Sequence, residues 1–309
     1  MKPIIHFSIY MLFLLLNCNS VAASEQTTDI VVEYMWQGKQ VSYLSRQQGN
    51  QFIFNEGASK SINVATLDWP PYIDRSLCNL GWVLQLGVAV LTSKGYQVNV
   101  HFYPWVRAVK MVESGNFEVL YPEYFIEDSA PSDIFPNKKR RELLAQSNQL
   151  IGGNIAFMKR KGDPFEFTGN LAAIKGKAIG VVRGYQNTPE FDAMMDAGLI
   201  SVVEAIDDLQ LLKLLMAKRV DLIVGDPAVF NHTIHYSDLD VRNRIAMLDG
   251  ISEVAPALKY NHFYFAVSTS FEQWGEILND INLALIELEL SGETQRIYQN
   301  GSGCSVNFD

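Results

Sequence analysis

Residues 178–226 read AIGVVRGYQNTPEFDAMMDAGLISVVEAIDDLQLLKLLMAKRVDLIVGD, and the alternation inside this stretch decides the fold class. Ala178–Val182, Ser201–Val203 and Leu222–Val224 are short runs rich in Val and Ile, which suit a buried, pleated surface. Between them, Thr188–Ala197 and Ile206–Lys218 carry apolar residues at helical spacing. Thr188 followed by Pro189 is a helix start, with a side-chain cap and a backbone angle already set for the first turn. Strand, helix, strand, helix, strand predicts parallel strands with helices on both faces of the sheet.

The same rhythm occurs upstream. Ser61–Leu67 reads as a strand, Gly81–Thr92 as an apolar helix ended by Lys94-Gly95, and Val98–Tyr103 as a strand. Trp105–Ser114 follows as a helix stopped at Gly115, then Val119–Tyr121 as a short strand. Ile151–Asn154 lies between the two α/β units as a crossing strand. Beyond the second unit, Phe263–Val267 reads as a strand, Phe271–Leu290 as a long helix and Glu293–Gln299 as a short one. One α/β unit inserted into another, with the chain returning, makes two connections, and two connections make a hinge. The expected architecture is therefore α/β with two lobes, each a mixed sheet flanked by helices. Residues 60–154 and 254–309 form lobe 1 and residues 155–253 lobe 2, with a ligand site in the cleft beyond the carboxyl ends of the strands. Residues 24–59 form an extension in which Ile30–Trp36 and Gln51–Phe54 read as a hairpin.

The first residues read as a secretory leader. Lys2 supplies the positive start, Ile4–Leu16 the apolar run, and Val21 and Ala23 the small residues before cleavage ahead of Ser24. The alternatives are an uncleaved anchor, for which the run is short, and a lipid on Cys18, for which Leu16-Asn17 is a poor context. Export makes the periplasm the expected compartment. There the two cysteines left after cleavage, Cys78 and Cys304, are expected to pair as a disulfide. A length of 309 residues fits about two domains, and a formal charge of −9 argues against nucleic acid or an anionic membrane as main partner. His232 and His235 stand three apart without a cysteine or acidic cluster to complete a metal set. No phosphate loop or serine elbow is present. No metal, cofactor or catalytic residue is expected.

Seven segments, in order, carry a family resemblance: VATLDWPPY (64–72), GWVLQL (81–86), PWVRAVKMVESGNFEVLYP (104–122), RRELLAQSNQL (140–150), LAAIKGKAIGVVRGYQNT (171–188), LLMAKRVDLIVGDPAVF (214–230) and INLALIELELSGETQRIYQ (281–299). In order and spacing they resemble the family 3 extracellular solute-binding proteins, the amino-acid receptors of ABC importers, across roughly residues 60–300. The resemblance implies the type II periplasmic-binding-protein fold with a double-crossover hinge.

It also implies a set of ligand contacts. Trp69, just after the first strand, matches an aromatic that stacks on the ligand, with Tyr72 beside it; packing under the turn is the alternative. Asp226 in VGDPAV matches the ammonium-binding aspartate, or else caps the helix that Pro227 begins. Arg140 or Arg141 matches the carboxylate-binding arginine, whose planar fork grips two oxygens, although the run Lys138–Arg141 also reads as a solvated basic face. Glu123 stands where the family places small hydroxyl residues. A carboxylate there welcomes an ammonium and repels a carboxylate, unless it is a plain loop glutamate. The loop Gly184–Thr188, with Tyr185 and Thr188, opens a helix whose free N–H groups suit an anion.

The function so implied is periplasmic binding of a small polar solute, an amino acid or related amine, by hinge closure. A monomer is expected, delivering its ligand to an inner-membrane ABC permease. The alternative is a ligand-sensing subunit for a membrane signalling receptor. An enzyme resembling cyclohexadienyl dehydratase, with a cleft acid as proton donor, is a third reading.

Overall fold

In the computed structural model, residues 30–132 and 134–301 are described. The leader read at residues 1–23 and Cys304 lie outside them. The extension is ordered by a local turn. β1 (Val31–Trp36) and β2 (Lys39–Leu44) pair antiparallel from Val31↔Leu44 to Trp36↔Lys39. Their two-residue connection, Gln37-Gly38, has φ of 50° and 76°, the doubly positive conformation that matches hairpin twist. β3 (Arg46–Gln48) and β4 (Gln51–Phe54) form a second hairpin. The expected pairing of Ile30–Trp36 with Gln51–Phe54 is thus corrected: each segment meets its nearest neighbour, because a tight turn closes more cheaply than a long loop.

The first α/β unit follows as β5 (Lys60–Thr66), α1 (Trp82–Ser93), β6 (Tyr96–Phe102), α2 (Trp105–Glu113) and β7 (Val119–Glu123). β5 runs parallel to both β6 and β7. α1 is apolar almost all round and almost wholly buried, as such a helix must be. Tyr34 of β1 reaches it with a 2.9 Å bond to Thr92. β8 (Leu144–Gln146) and β9 (Leu150–Arg160) come next.

The second unit is β10 (Ala178–Val182), α3 (Pro189–Asp196), β11 (Ser201–Ala205), α4 (Asp208–Met216) and β12 (Leu222–Gly225). β10 is parallel to β11 and β12. Thr188 caps α3 and Pro189 begins it, as read from the sequence. α5 (Pro227–Tyr236) and α6 (Val241–Gly250) complete this half. β13 (Ile251–Ser268), α7 (Trp274–Leu290) and α8 (Glu293–Gly301) return the chain to the first.

Hydrogen bonding orders the main sheet β11-β10-β12-β9-β13-β7-β5-β6-β4-β3, with β8 also on β13. The sheet is continuous, and its continuity runs through one antiparallel pair. β9 lies along β13 from Ile251↔Arg160 to Phe263↔Leu150. The other edge of β9 takes β12, and the far end of β13 takes β7 and β8. The crossing strand expected at 151–154 is therefore the start of an 11-residue strand, and the one expected at 263–267 is the end of an 18-residue strand. Among the described residues, the chain passes between the two halves at β9 and returns at β13. Among the same residues, no helix is long and apolar enough to cross a membrane.

The cleft expected between the halves is shut in this structure. Tyr72 OH donates to Asp226 Oδ2 at 2.7 Å, and Trp105 Nε1 donates to the carbonyl of Gly184 at 2.9 Å. Both bonds join the first half of the sheet to the second.

Candidate functional site

The segment after β5, Leu67-Asp68-Trp69-Pro70-Pro71-Tyr72, turns sharply where the strand leaves the sheet. The Pro70–Pro71 bond is cis. With no N–H on either proline, the chain cannot continue a ladder, and the turn lays two aromatic side chains at the carboxyl end of the strand. Trp69 is 6% exposed. Around its ring stand Tyr72 at 4.8 Å, Phe263 at 5.5 Å, Tyr124 at 5.6 Å and Tyr185 at 6.4 Å between centroids. Trp105 closes the group, 6.0 Å from Tyr185. Most of these contacts are edge-on, the arrangement that sets positive ring edges against negative faces. The rings come from five places far apart in the chain: the β5 turn, the start of α2, the end of β7, the loop after β10, and β13.

Two polar atoms within this aromatic group have no partner. Trp69 Nε1 and Tyr124 OH are both buried without a hydrogen bond. An unmet buried donor costs about 1–3 kcal/mol, so both atoms are open to a hydrogen-bond acceptor. The space they share with Leu67, Trp105, Glu123 and Gln186 has a volume of about 20 Å³, room for roughly one water molecule. It lies between two larger grooves. One, of about 420 Å³, is lined by Asp68, Asp74, Asp207, Asp208 and Tyr236. The other, of about 590 Å³, is lined by Glu127, Arg140, Arg183, Asp192 and Glu204.

Two carboxylates touch the aromatic group. Asp226, 3% exposed, serves two purposes at once. Its Oδ1 accepts from Ala228 N at 2.8 Å and so caps α5, while Oδ2 accepts from Tyr72. Burial lifts its pKa from 3.8 to about 6 against the lowering effect of those bonds. Asp208 Oδ2 accepts from Tyr185 OH at 3.1 Å, and burial raises Asp208 to about 7. The phenols of Tyr72, Tyr124 and Tyr185 are all pushed up by burial, so they remain donors at neutral pH. Close approach of the halves depends on Gly153 in β9. A Cβ there would meet Asp226 Oδ2 at 2.0 Å and Tyr72 OH at 2.3 Å.

The residues singled out from the sequence divide into two groups. Trp69, Tyr72, Tyr185, Glu123 and Asp226 are brought together at the seam. Arg140, Arg141 and Thr188 are otherwise engaged. Arg140 is 1% exposed. Its Nε donates to Glu113 Oε1 at 3.2 Å, and its Nη1 lies 3.7 Å from Glu123 Oε2. Glu123 is thus buried in an ion pair and also accepts from Tyr124 N at 2.9 Å; it is no exposed loop glutamate. Arg141 faces outward, bonded to the carbonyl of Ile126 at 3.1 Å and resting on the ring of Phe125. Thr188 spends its hydroxyl on Phe191 N, 3.3 Å away. At the start of α3, Asn187 N and Nδ2 donate to Asp192 at 2.9 and 3.0 Å, so an internal carboxylate already stands where an anion was expected.

Sequence reasoning misses Asp208, Phe263 and Trp105 as site residues. Asp208 lies unmarked inside the helix expected over Ile206–Lys218, just after the N-cap Asp207; Phe263 reads as an ordinary inward strand residue. Nothing local marks either one, because both enter the site through the folding of β13 and α4 against the β5 turn. Among the described residues, no group of three or more His, Cys, Asp and Glu side chains could hold a metal ion.

No family model and no curated protein matches this chain. Solved structures do. It superposes on an ancestral arginine-binding protein with a TM-score of 0.63 at 20% identity, over 80% of this chain and 100% of that one. A histidine kinase sensor domain with similarity to periplasmic binding proteins gives 0.63 at 20% identity, over 79% of this chain and 96% of that one. The periplasmic binding protein of an arginine transport system from Legionella pneumophila gives 0.60 at 15% identity, over 79% and 100%. The fold is that of the type II periplasmic binding proteins.

Proposed function

We propose that this chain binds a small polar solute between two lobes, residues 60–154 with 254–309 and residues 155–253, and closes over it by bending at β9 and β13. The observation that carries this reading is the pair of buried, unpartnered donors at the seam, Trp69 Nε1 and Tyr124 OH. Such groups are stabilised by a guest that meets them, so the guest favours the closed state by its differential affinity. Trp69 and Tyr72 of lobe 1 meet Asp226 and Tyr185 of lobe 2 at the contact surface, and Asp208 completes it.

The setting we assign is the periplasm, after removal of residues 1–23, with Cys78 and Cys304 joined as a disulfide. The partner is an inner-membrane ABC permease. Similarity to a histidine kinase sensor domain favours one second reading, in which the closed form is read by a membrane receptor. Binding rather than turnover fits the lead carboxylate, because both oxygens of Asp226 already accept hydrogen bonds. Small-angle scattering of the exported, processed protein is the test. Titration with amino acids and amines should turn a mixed open and closed population into the compact one, with a matching rise in melting temperature. A radius and a melting point unmoved by every compound would defeat the proposal. Uptake of the identified solute by a deletion strain then separates delivery from sensing.

A further inference from the structure

We infer that the guest is an organic amine carrying no carboxylate, an inference that rests on the solute-binding reading above and gives the chemical class of its ligand. A free amino acid needs two complementary regions, one for the ammonium and one for the carboxylate. Both charged features that would receive a carboxylate here are neutralised from within the chain, and the two neutral donors that remain, Trp69 Nε1 and Tyr124 OH, are met by an uncharged acceptor on the guest. Arg140 is buried between Glu113 and Glu123, at 3.2 and 3.7 Å. The start of α3 is filled by Asp192, which takes both Asn187 N and Asn187 Nδ2. These are separate substitutions of an internal carboxylate for an external one, on opposite sides of the seam.

What remains at the seam suits a cation. Asp226 and Asp208 are 3% and 7% exposed and stand against the aromatic group. Glu123 lines its central space. The rings of Trp69, Tyr72, Tyr124, Tyr185 and Phe263 wall the seam, and when the halves part, an ammonium set over such a ring face is attracted without any counter-charge. The groove beside them adds Asp74 and Asp207, where the basic side chain, Arg75, is already held by Asp68. On the other side, Arg183 shares its groove with Glu127, Asp192, Asp196 and Glu204. A guest carboxylate drawn into this seam would lie among acids with Arg140 already spent. Repulsion of that kind is what discriminates one ligand from another.

The decisive experiment compares pairs that differ by the carboxylate alone. Calorimetric titration of the exported, processed protein with agmatine and arginine, cadaverine and lysine, and histamine and histidine reads the contribution of that one group. The expected result is that the amine of at least one pair binds, by about tenfold or more over its amino acid, the equivalent of roughly 1.4 kcal/mol. Tighter binding of the amino acid in every pair that binds would overturn the inference while leaving the solute-binding reading intact. Binding of neither member of any pair, together with unchanged scattering, would overturn both. The variant Glu123→Gln gives an independent reading. With one of its two carboxylates removed, Arg140 regains attraction for an external one, so the preference for the amine should shrink by severalfold. An undiminished preference in a folded E123Q protein counts against the neutralised arginine as its cause.

Discussion

Adding one methyl group at Gly153 should open the molecule without unfolding it. The Cβ of Gly153→Ala falls 2.0 Å from Asp226 Oδ2 and 2.3 Å from Tyr72 OH. Both atoms are the far ends of side chains, so they can move aside, but they cannot do so and keep their 2.7 Å bond. That bond joins a phenol to a buried carboxyl and exists only when the halves meet. A hydrogen bond to a charged group contributes about 1.5–3 kcal/mol. Losing it from the closed form alone lowers guest affinity by roughly 10- to 150-fold, since each 1.4 kcal/mol is a factor of ten. Calorimetric titration with the best-binding amine measures the affinity, and small-angle scattering the shape. Gly152→Ala is the contrasting variant. Its Cβ would sit 1.7 Å from the backbone oxygen of Asn261, which has no room to yield without breaking the β9–β13 ladder. G152A should therefore lower the melting temperature markedly, whereas G153A should change it little. A G153A protein that remains as compact as the parent with guest, and binds within twofold of it, refutes the latch.

Three further outcomes follow from the same geometry. Arg140→Ala leaves Glu113 and Glu123 buried without their cation and should cost about 3–5 kcal/mol of stability, while Arg141→Ala on the outer face should cost no more than about 0.5 kcal/mol; chemical denaturation compares them. Burial raises Asp208 from 3.8 to about 7 and Asp226 to about 6, so the folded protein holds these protons where the unfolded chain has released them. Their contribution is therefore present at about pH 4 and lost as pH climbs through about 6 to 7. Asp208→Asn should flatten that fall in a series of melting curves, and an unchanged slope would show that Asp208 is not its source. Trp105→Phe keeps the aromatic contact but deletes the 2.9 Å bond to Gly184, so guest affinity should weaken by about 0.5–1.5 kcal/mol with melting of the guest-free protein little changed.

Much of the framework was legible from residue order. Val and Ile runs alternating with helical spacing placed the strands and helices of both α/β units to within a few residues, and the cap Thr188-Pro189 was marked by its own chemistry. Elements without a strong local signal were another matter. α6 is polar on most sides, with only Met247 buried, so no apolar stripe announces it. The pairing of β1 turned on which of two partners lay nearer, which Gln37-Gly38 decided by accepting positive φ.

What the sequence determined by itself was the class of architecture, because strand length, helix period and turn chemistry are set by neighbours along the chain; Trp69, Tyr72 and Asp226 were marked only by the family resemblance of the segments that hold them. Only the tertiary structure decided the charge of the site. Arg140 looked like a hand held out for a carboxylate, yet Glu113, 27 residues away in sequence, occupies it. Asp208 lay unmarked inside the helix expected over Ile206–Lys218, yet Tyr185 donates to it at the seam. An ionisable side chain acquires its partner from whichever distant segment folding sets against it, and Coulomb energy depends on that distance in space alone.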